Sequence, residues 1–368
     1  MLSVTQPVPS QSPPLHTLMH EMGHEQVVYC QDTSAGLKAI VAIHNTVLGP
    51  SMGGVRFWNY TSEEAALKDV LRLSRGMTFK NSIAGLNAGG GKAVIIGDSK
   101  SKTELQLRRF GQFLESLSGK YITAEDVGMG CRDMEYIGME TQYVTGLSEL
   151  KGGAGDPSPL TAYGVFMGMK AGAKKVFGTD DLQGKKVYVQ GVGHVGGQLV
   201  KLLSKEGCRV IVSDLDQGRV KSVAKSYQAE VVNPESLDFD MDIYAPCALG
   251  ATLNNASIPV LKCKIIAGGA NNQLEEEELH AKMLQQRGIL YAPDFLINSG
   301  GITNVYLEYQ GNYQRELAYQ KVEEIYNTCL NLLNDAEEQE ITTHQAALQM
   351  AGARISAIEK LKSTLKTR

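Results

Sequence analysis

The stretch Val187-Tyr188-Val189-Gln190-Gly191-Val192-Gly193-His194-Val195-Gly196 does most to limit what this chain can fold into. A β-branched run leads straight into G-x-G-x-x-G, and an amphipathic run over 197–206 follows. That context reads as the first strand–turn–helix unit of a dinucleotide-binding sheet. Gly191 permits the tight turn, Gly193 lets backbone approach a pyrophosphate, and Gly196 lets helix and strand pack closely. The helix N-terminus adds free N–H donors and partial positive charge. A second strand over 209–213 ends at Asp214, 21 residues after Gly193. An acid at that interval accepts from the ribose 2′-hydroxyl of NAD and repels the 2′-phosphate of NADP. Further strands are predicted at 242–245, 264–267 and 288–291, with helical stretches between them. Loops beyond them, Ala245-Pro246-Cys247 and Asn271-Asn272, line the ligand crevice of such a sheet. For the asparagines, plain turn chemistry is the alternative.

A second glycine-rich stretch, Gly85 to Lys92, precedes the apolar strand Ala93-Val94-Ile95-Ile96. Three consecutive glycines, Gly89 to Gly91, are costly in a regular element. They suit backbone that comes close to something small and bound. Lys92 follows at the start of the strand, and Lys80 ends a helix-like run over 63–79 capped by Ser62. Burial disfavours a charged lysine and a like charge pushes its pKa lower still, so the pair can serve as one cation and one neutral base. The bland alternative is a flexible loop with two solvated lysines. Gly53-Gly54 either aims N–H groups at a carboxylate or forms a turn. After the strand Tyr121-Ile122-Thr123 comes Ala124-Glu125-Asp126-Val127-Gly128, where Asp126 fits a catalytic loop or an Asx turn.

At 368 residues, two domains are expected. A hydrophobic content of 43% with 21% charged residues describes an ordinary globular chain, and a net charge of −4 gives no attraction to nucleic acid or anionic membrane. No apolar run is long enough to span a bilayer. The first 15 residues carry four of the eleven prolines and lack the basic start and apolar core of a secretory signal. Residues 1–20 are therefore read as a disordered extension. A unit over 21–150 follows, then a glycine- and proline-rich joint at 152–159 and a helix from about Thr161. A second unit over 151–340 follows, and amphipathic helices over 314–337 and 343–365 pack across both units or build an oligomer interface. Six scattered cysteines without C-x-x-C suit reduced thiols in a cytoplasm. His20-Glu21-Met22-Gly23-His24 matches H-E-x-x-H, but Gly23 interrupts it and strand-like residues follow, so no metal is expected.

The phrases Gly85 to Asp98, Lys80-Asn81 and Ala124 to Gly128 together resemble the glutamate/leucine/phenylalanine/valine dehydrogenase family. The likeness runs from about residue 25 to the C-terminal helices. Tyr121 to Gly128, Pro157-Ser158-Pro159, Ala245 to Gly250 and Tyr291 to Asp294 lie nearest its leucine-using members. The resemblance implies an α/β, two-domain amino-acid dehydrogenase fold: an N-terminal substrate domain joined by helix 341–368, a Rossmann-type NAD domain, and the active-site cleft between them. It implies NAD-dependent, reversible oxidative deamination of a branched-chain L-amino acid, with Lys92 catalytic and Asp126 its proton-transfer partner. Lys80, with Gly53 and Gly54, would hold the substrate carboxylate. Met52, Ile302 and Val305 would wall the side-chain pocket, and Asn272 would stand where substrate meets nicotinamide. Residues 191–196 (with Val192, His194 and Val195), Asp214, Thr161, Ala245, Pro246 and Cys247 would hold NAD. A homo-oligomer is also implied, with an octamer as its expected form. The chain departs from the family phrase at Ser299 and Thr303, where alanine and an apolar residue are expected. The runner-up readings are an aromatic substrate and a catalytically silent NAD-binding protein.

Overall fold

The structure, a computed structural model, describes residues 14–366. The expected disorder of residues 1–13 lies outside the described residues. Residues 15–20, read as part of that extension, are instead helical, within α1 (Leu15–Met22). Leu15, Leu18 and Met22 give α1 an apolar side to bury against Leu67 and Val70. Gly23 ends the helix in the left-handed conformation, so His24 lies beyond it and the two histidines of H-E-x-x-H share no helix.

Five strands follow: β1 (Gln26–Asp32), β2 (Leu37–Asn45), β3 (Ser51–Trp58), β4 (Gly89–Ile96) and β5 (Tyr121–Glu125). They form one sheet in the order β1-β2-β4-β3-β5. β2 pairs antiparallel with β1 and β4, and β3 pairs parallel with β4 and β5. Successive side chains leave a strand on opposite faces. Ile40, Ala42 and Val94 turn onto α2 (Glu63–Ile83), which Ser62 caps by accepting from the Ala65 N–H. Val41, Ile43, Val55, Phe57, Ala93 and Ile95 turn the other way, onto α3 (Glu104–Ser116) and α4 (Cys131–Gly138).

Two of the alternatives left open by the sequence fall away here. Gly53-Gly54 lies inside β3 and is no turn, and Gly89 to Gly91 belong to β4 rather than to a loop. Their reason is internal packing. A Cβ on Gly90 would sit 2.2 Å from the backbone nitrogen of Thr78, and one on Gly89 would sit 1.9 Å from the Asn45 carbonyl. The glycines let α2 and the neighbouring strand approach β4, so Lys92 is held inside a buried strand.

In the second half α5 (Ser158–Phe177) begins at Ser158, three residues before the expected start. Six parallel strands follow: β6 (Lys186–Gln190), β7 (Arg209–Ser213), β8 (Glu230–Val231), β9 (Ile243–Pro246), β10 (Ile265–Ile266) and β11 (Leu290–Tyr291). Their order, β11-β10-β9-β6-β7-β8, is that of a doubly wound dinucleotide-binding sheet with its switch point between β6 and β9. Val187, Val189, Ile243 and Ile265 join a core with α5 and α6 (His194–Lys205), and a long helix over Arg315–Glu338 packs on α5. Tyr188, Ile211, Tyr244 and Ile266 cover the opposite face. The last helix, Thr343–Lys366, returns to the first half, where the Ser82 hydroxyl donates to the Ala351 carbonyl at 2.8 Å and Arg354 to that of Leu86 at 2.7 Å. Among the described residues no helix is long and apolar enough to cross a membrane.

Candidate active site

Strand parity builds one wall of the cleft. Val55 and Phe57 face α3, so Gly54 and Arg56 face the other way, as do Lys92 with Val94 and Ala124 with Ile122. Asp126, just beyond β5, meets them there. Lys92 Nζ lies 2.9 Å from Asp126 Oδ2, and Arg56 Nε donates to the same oxygen at 3.1 Å. A Cβ on Gly54 would sit 2.9 Å from the Asp126 Cβ, so glycine at 54 gives the acid its room. The Lys92 side chain is only 7% exposed and that of Asp126 17%, which leaves little water to screen the pair.

Burial alone would push the Asp126 carboxyl up, but Lys92 and Arg56 outweigh it and hold it down at about 2. Lys80 sits in the last turn of α2 and lines the same cleft. Burial, reinforced by Lys92, lowers its ammonium to about 8 against the pull of Asp294 and Asp126. Glu125 moves oppositely, pushed up to about 7 by burial and by Asp156 and Asp133. The cleft thus holds one buried ion pair and, beside it, a cation that burial brings down toward neutrality.

The other wall comes from the second sheet. Thr161, Val195, Gly269, Asn271, Asn272, Asp294, Asn298, Ile302 and Val305 line it. Asn272 has a left-handed φ of 52°, and its carbonyl accepts from the Ala251 N–H at 2.8 Å. Asn298 Nδ2 donates to Asn271 Oδ1 at 2.9 Å. Ala124, Ile302 and Val305 give the cleft an apolar end, with Met77 beside them. Met52 shares their cluster but is fully buried in β3, a layer behind the lining, and Gly53 is buried beside it. The departures at Ser299 and Thr303 are absorbed by the helix backbone. Their hydroxyls donate to the Leu296 and Ser299 carbonyls.

The candidate cofactor residues gather at the switch point. Gly191 has φ 93° and Gly196 abuts the Gly191 carbonyl, so both are glycine for internal reasons. Gly193 is different, because a Cβ there would meet only Arg219 Nη1, at 3.7 Å. The fold leaves open the space that backbone needs to approach a pyrophosphate at the start of α6. His194 is exposed at that start. Asp214 Oδ2 accepts from the Val192 N–H at 2.8 Å, which fixes the acid beside the turn. Ala245 and Pro246 are buried within β9, and Cys247 Sγ accepts from the Gly269 N–H. These residues fit a dinucleotide. Asn271 lies in the lining as its crevice loop implied, whereas Arg56 and Asp294 were missed in the sequence. For Arg56 the usable signal was its two-residue spacing from Gly54.

Two family models match the chain: "Glu/Leu/Phe/Val dehydrogenase, dimerisation domain" over residues 24–143, and "Glutamate/Leucine/Phenylalanine/Valine dehydrogenase" over 152–220 and 212–367. Leucine dehydrogenase from Thermoactinomyces intermedius is 52% identical over 94% of each chain. Valine dehydrogenase from Streptomyces virginiae is 46% identical, over 93% of this chain and 97% of its own. The crystal structure of L-tryptophan dehydrogenase from Nostoc punctiforme superposes with a TM-score of 0.82 at 46% identity, covering 94% of this chain and all of that one.

Proposed function

The chain belongs to the glutamate/leucine/phenylalanine/valine dehydrogenase family, and from that premise we propose that it deaminates branched-chain L-amino acids, leucine first, with valine and isoleucine as alternatives. It is an amino-acid dehydrogenase and its cofactor is NAD. The observation that carries the finer reading is the buried Lys92–Asp126 pair beside Lys80, with an apolar end to the cleft at Ala124, Ile302 and Val305. That end would leave a glutamate side chain without a cation.

In this reading Lys80, helped by the backbone at Gly53 and Gly54, binds the substrate carboxylate. NAD held in the cradle at the switch point would supply the acceptor for the hydride on the substrate Cα, which would turn the amine into an imine. Lys92, having given up its proton, activates water to attack that imine. Asp126 carries protons as the carbinolamine collapses to 2-keto acid and ammonia. Asn272 orients substrate at the cofactor junction. Residues 191–196, Asp214, Thr161 and the end of β9 cradle the dinucleotide. We take 21–150 with 341–368 as the substrate unit and 151–340 as the NAD unit. The rest of the proposal is a homo-oligomer, an octamer, in a cytoplasm that keeps its six thiols free.

The second reading keeps the chemistry and replaces the substrate with an aromatic amino acid, as the 46% identity to a tryptophan dehydrogenase suggests. Discrimination between pocket fillers rests on only about 1–3 kcal/mol, so a few side chains decide it. The test is NADH formation at alkaline pH across leucine, isoleucine, valine, phenylalanine, tryptophan and glutamate, with Lys92→Ala as control. Fast turnover of leucine that is lost in the variant is the expected result. Preference for an aromatic substrate installs the second reading, and full activity in the variant removes Lys92 from the mechanism.

A further inference from the structure

Arg56 touches the catalytic pair, yet the mechanism above gives it no part. Its Nε reaches the same Asp126 oxygen that Lys92 reaches, at 3.1 Å against 2.9 Å. Its other arm, Nη1, lies 2.8 Å from Asp69 Oδ2 on α2, and the Tyr60 hydroxyl donates to that oxygen at 2.7 Å. The guanidinium is therefore braced from behind, and its side chain is 21% exposed.

We propose that Arg56 is a positioning residue that acts through Asp126, as the permanent cation that keeps this carboxylate paired while Lys92 changes charge. The proposal rests on the assignment of Lys92 and Asp126 made above. A guanidinium stays protonated at every working pH, whereas an ammonium can be discharged. While Lys92 carries its proton, two cations share Oδ2. When Lys92 gives the proton up, Arg56 remains and the carboxylate is not left buried and alone, a state that is costly in a half-dry site. Without Arg56, discharging Lys92 strands that charge, so deamination sets in at higher pH. The other ionisable groups facing the trio are Asp69, Tyr60 and Arg72 behind Arg56, and Lys80, Glu125 and Tyr121 around Asp126. All of them remain in an Arg56→Gln protein, so the displacement between that profile and the wild type's reports the guanidinium.

The experiment is kcat/KM for NADH formation against pH in R56Q, R56K and D69N, with K92A alongside. R56Q should move the rising limb upward by about one pH unit, a roughly tenfold loss at its foot that fades toward its top. D69N keeps the guanidinium and should hold the limb near its wild-type position, whereas R56K supplies an ammonium that can itself be discharged and should fall between wild type and R56Q. A pH-independent loss in R56Q, or an equal displacement in R56K or D69N, overturns the proposal. Should R56Q fail to fold, Arg56→Met fills the space without a donor and takes its place. Full activity in K92A sinks the underlying assignment; an inactive K92A with an unmoved R56Q limb sinks this proposal alone.

Discussion

Lys80 Nζ lies 3.4 Å from Asn271 Oδ1, a contact that joins the end of α2 to the loop beyond β10. One side chain from each half of the chain thus meets the other in the cleft. An arriving carboxylate is a better partner for the cation than an amide oxygen. Burial, with Lys92, brings Lys80 down to about 8, so in the free enzyme the cation is half discharged near that pH. If Lys80 receives the substrate carboxylate, KM for the amino acid should climb above pH 8 while KM for NAD stays flat. Lys80→Met should raise the amino-acid KM about tenfold to a hundredfold and remove that pH dependence. Steady-state kinetics at several pH values checks both, and an unchanged amino-acid KM in the variant rules the role out.

The same lysine carries a stability cost. Its folded pKa of about 8 lies below its ordinary 10.5, so folding is opposed while the group is charged. The cost is full below pH 8 and is relieved as pH rises from there to 10.5. Lys80→Met should therefore be the more stable protein at pH 7, by on the order of 1 kcal/mol, with the gain fading toward pH 10.5. Thermal melts at pH 7 and pH 10 check the sign.

Asp126 works the other way. Its carboxyl is held at about 2, so the stability it contributes is present above its ordinary 3.8 and is lost as pH falls toward 2. Asp126→Asn removes the counter-ion of both Lys92 and Arg56. The variant should lose about 3 kcal/mol at pH 7 and its kcat should fall roughly 10²–10⁴-fold. Denaturant titration and single-turnover rates measure the two effects separately. A kcat within tenfold of wild type excludes Asp126 as the proton carrier.

Much of this was legible in the chain because alternation and punctuation are local. The Ser62 cap, the apolar run of β4 and the G-x-G-x-x-G context each specify an element without help from distant residues. What escaped depends on contacts between elements. Nothing local says that Gly90 is glycine because Thr78 lies over it, nor that α1 has an apolar partner near Val70. Arg56 drew no notice in the sequence, because only the folded sheet brings Asp126, just beyond β5, against it. Met52 enters the pocket wall by resemblance alone, and its depth in β3, in one apolar cluster with Ile302 and Val305, is something only the folded sheet displays.

Two glycine-to-alanine variants separate packing from binding. At Gly90 an added Cβ would lie 2.1 Å from the Thr78 hydroxyl oxygen and 2.2 Å from its backbone nitrogen, so α2 or β4 must shift. Gly90→Ala should cost about 1–3 kcal/mol and should depress turnover as well, since Lys92 stands two residues on in the same strand. At Gly193 the same methyl meets only Arg219 Nη1, at 3.7 Å, and the backbone φ of −69° suits any residue. Gly193→Ala should melt within a degree or two of wild type, yet its KM for NAD should rise at least about tenfold, because the methyl occupies the room that a pyrophosphate needs. The KM for the amino acid should move little. A Gly193→Ala protein that binds NAD as tightly as wild type, in a calorimetric titration, would place the cofactor elsewhere. One that melts as early as Gly90→Ala would mean that this glycine, too, serves packing.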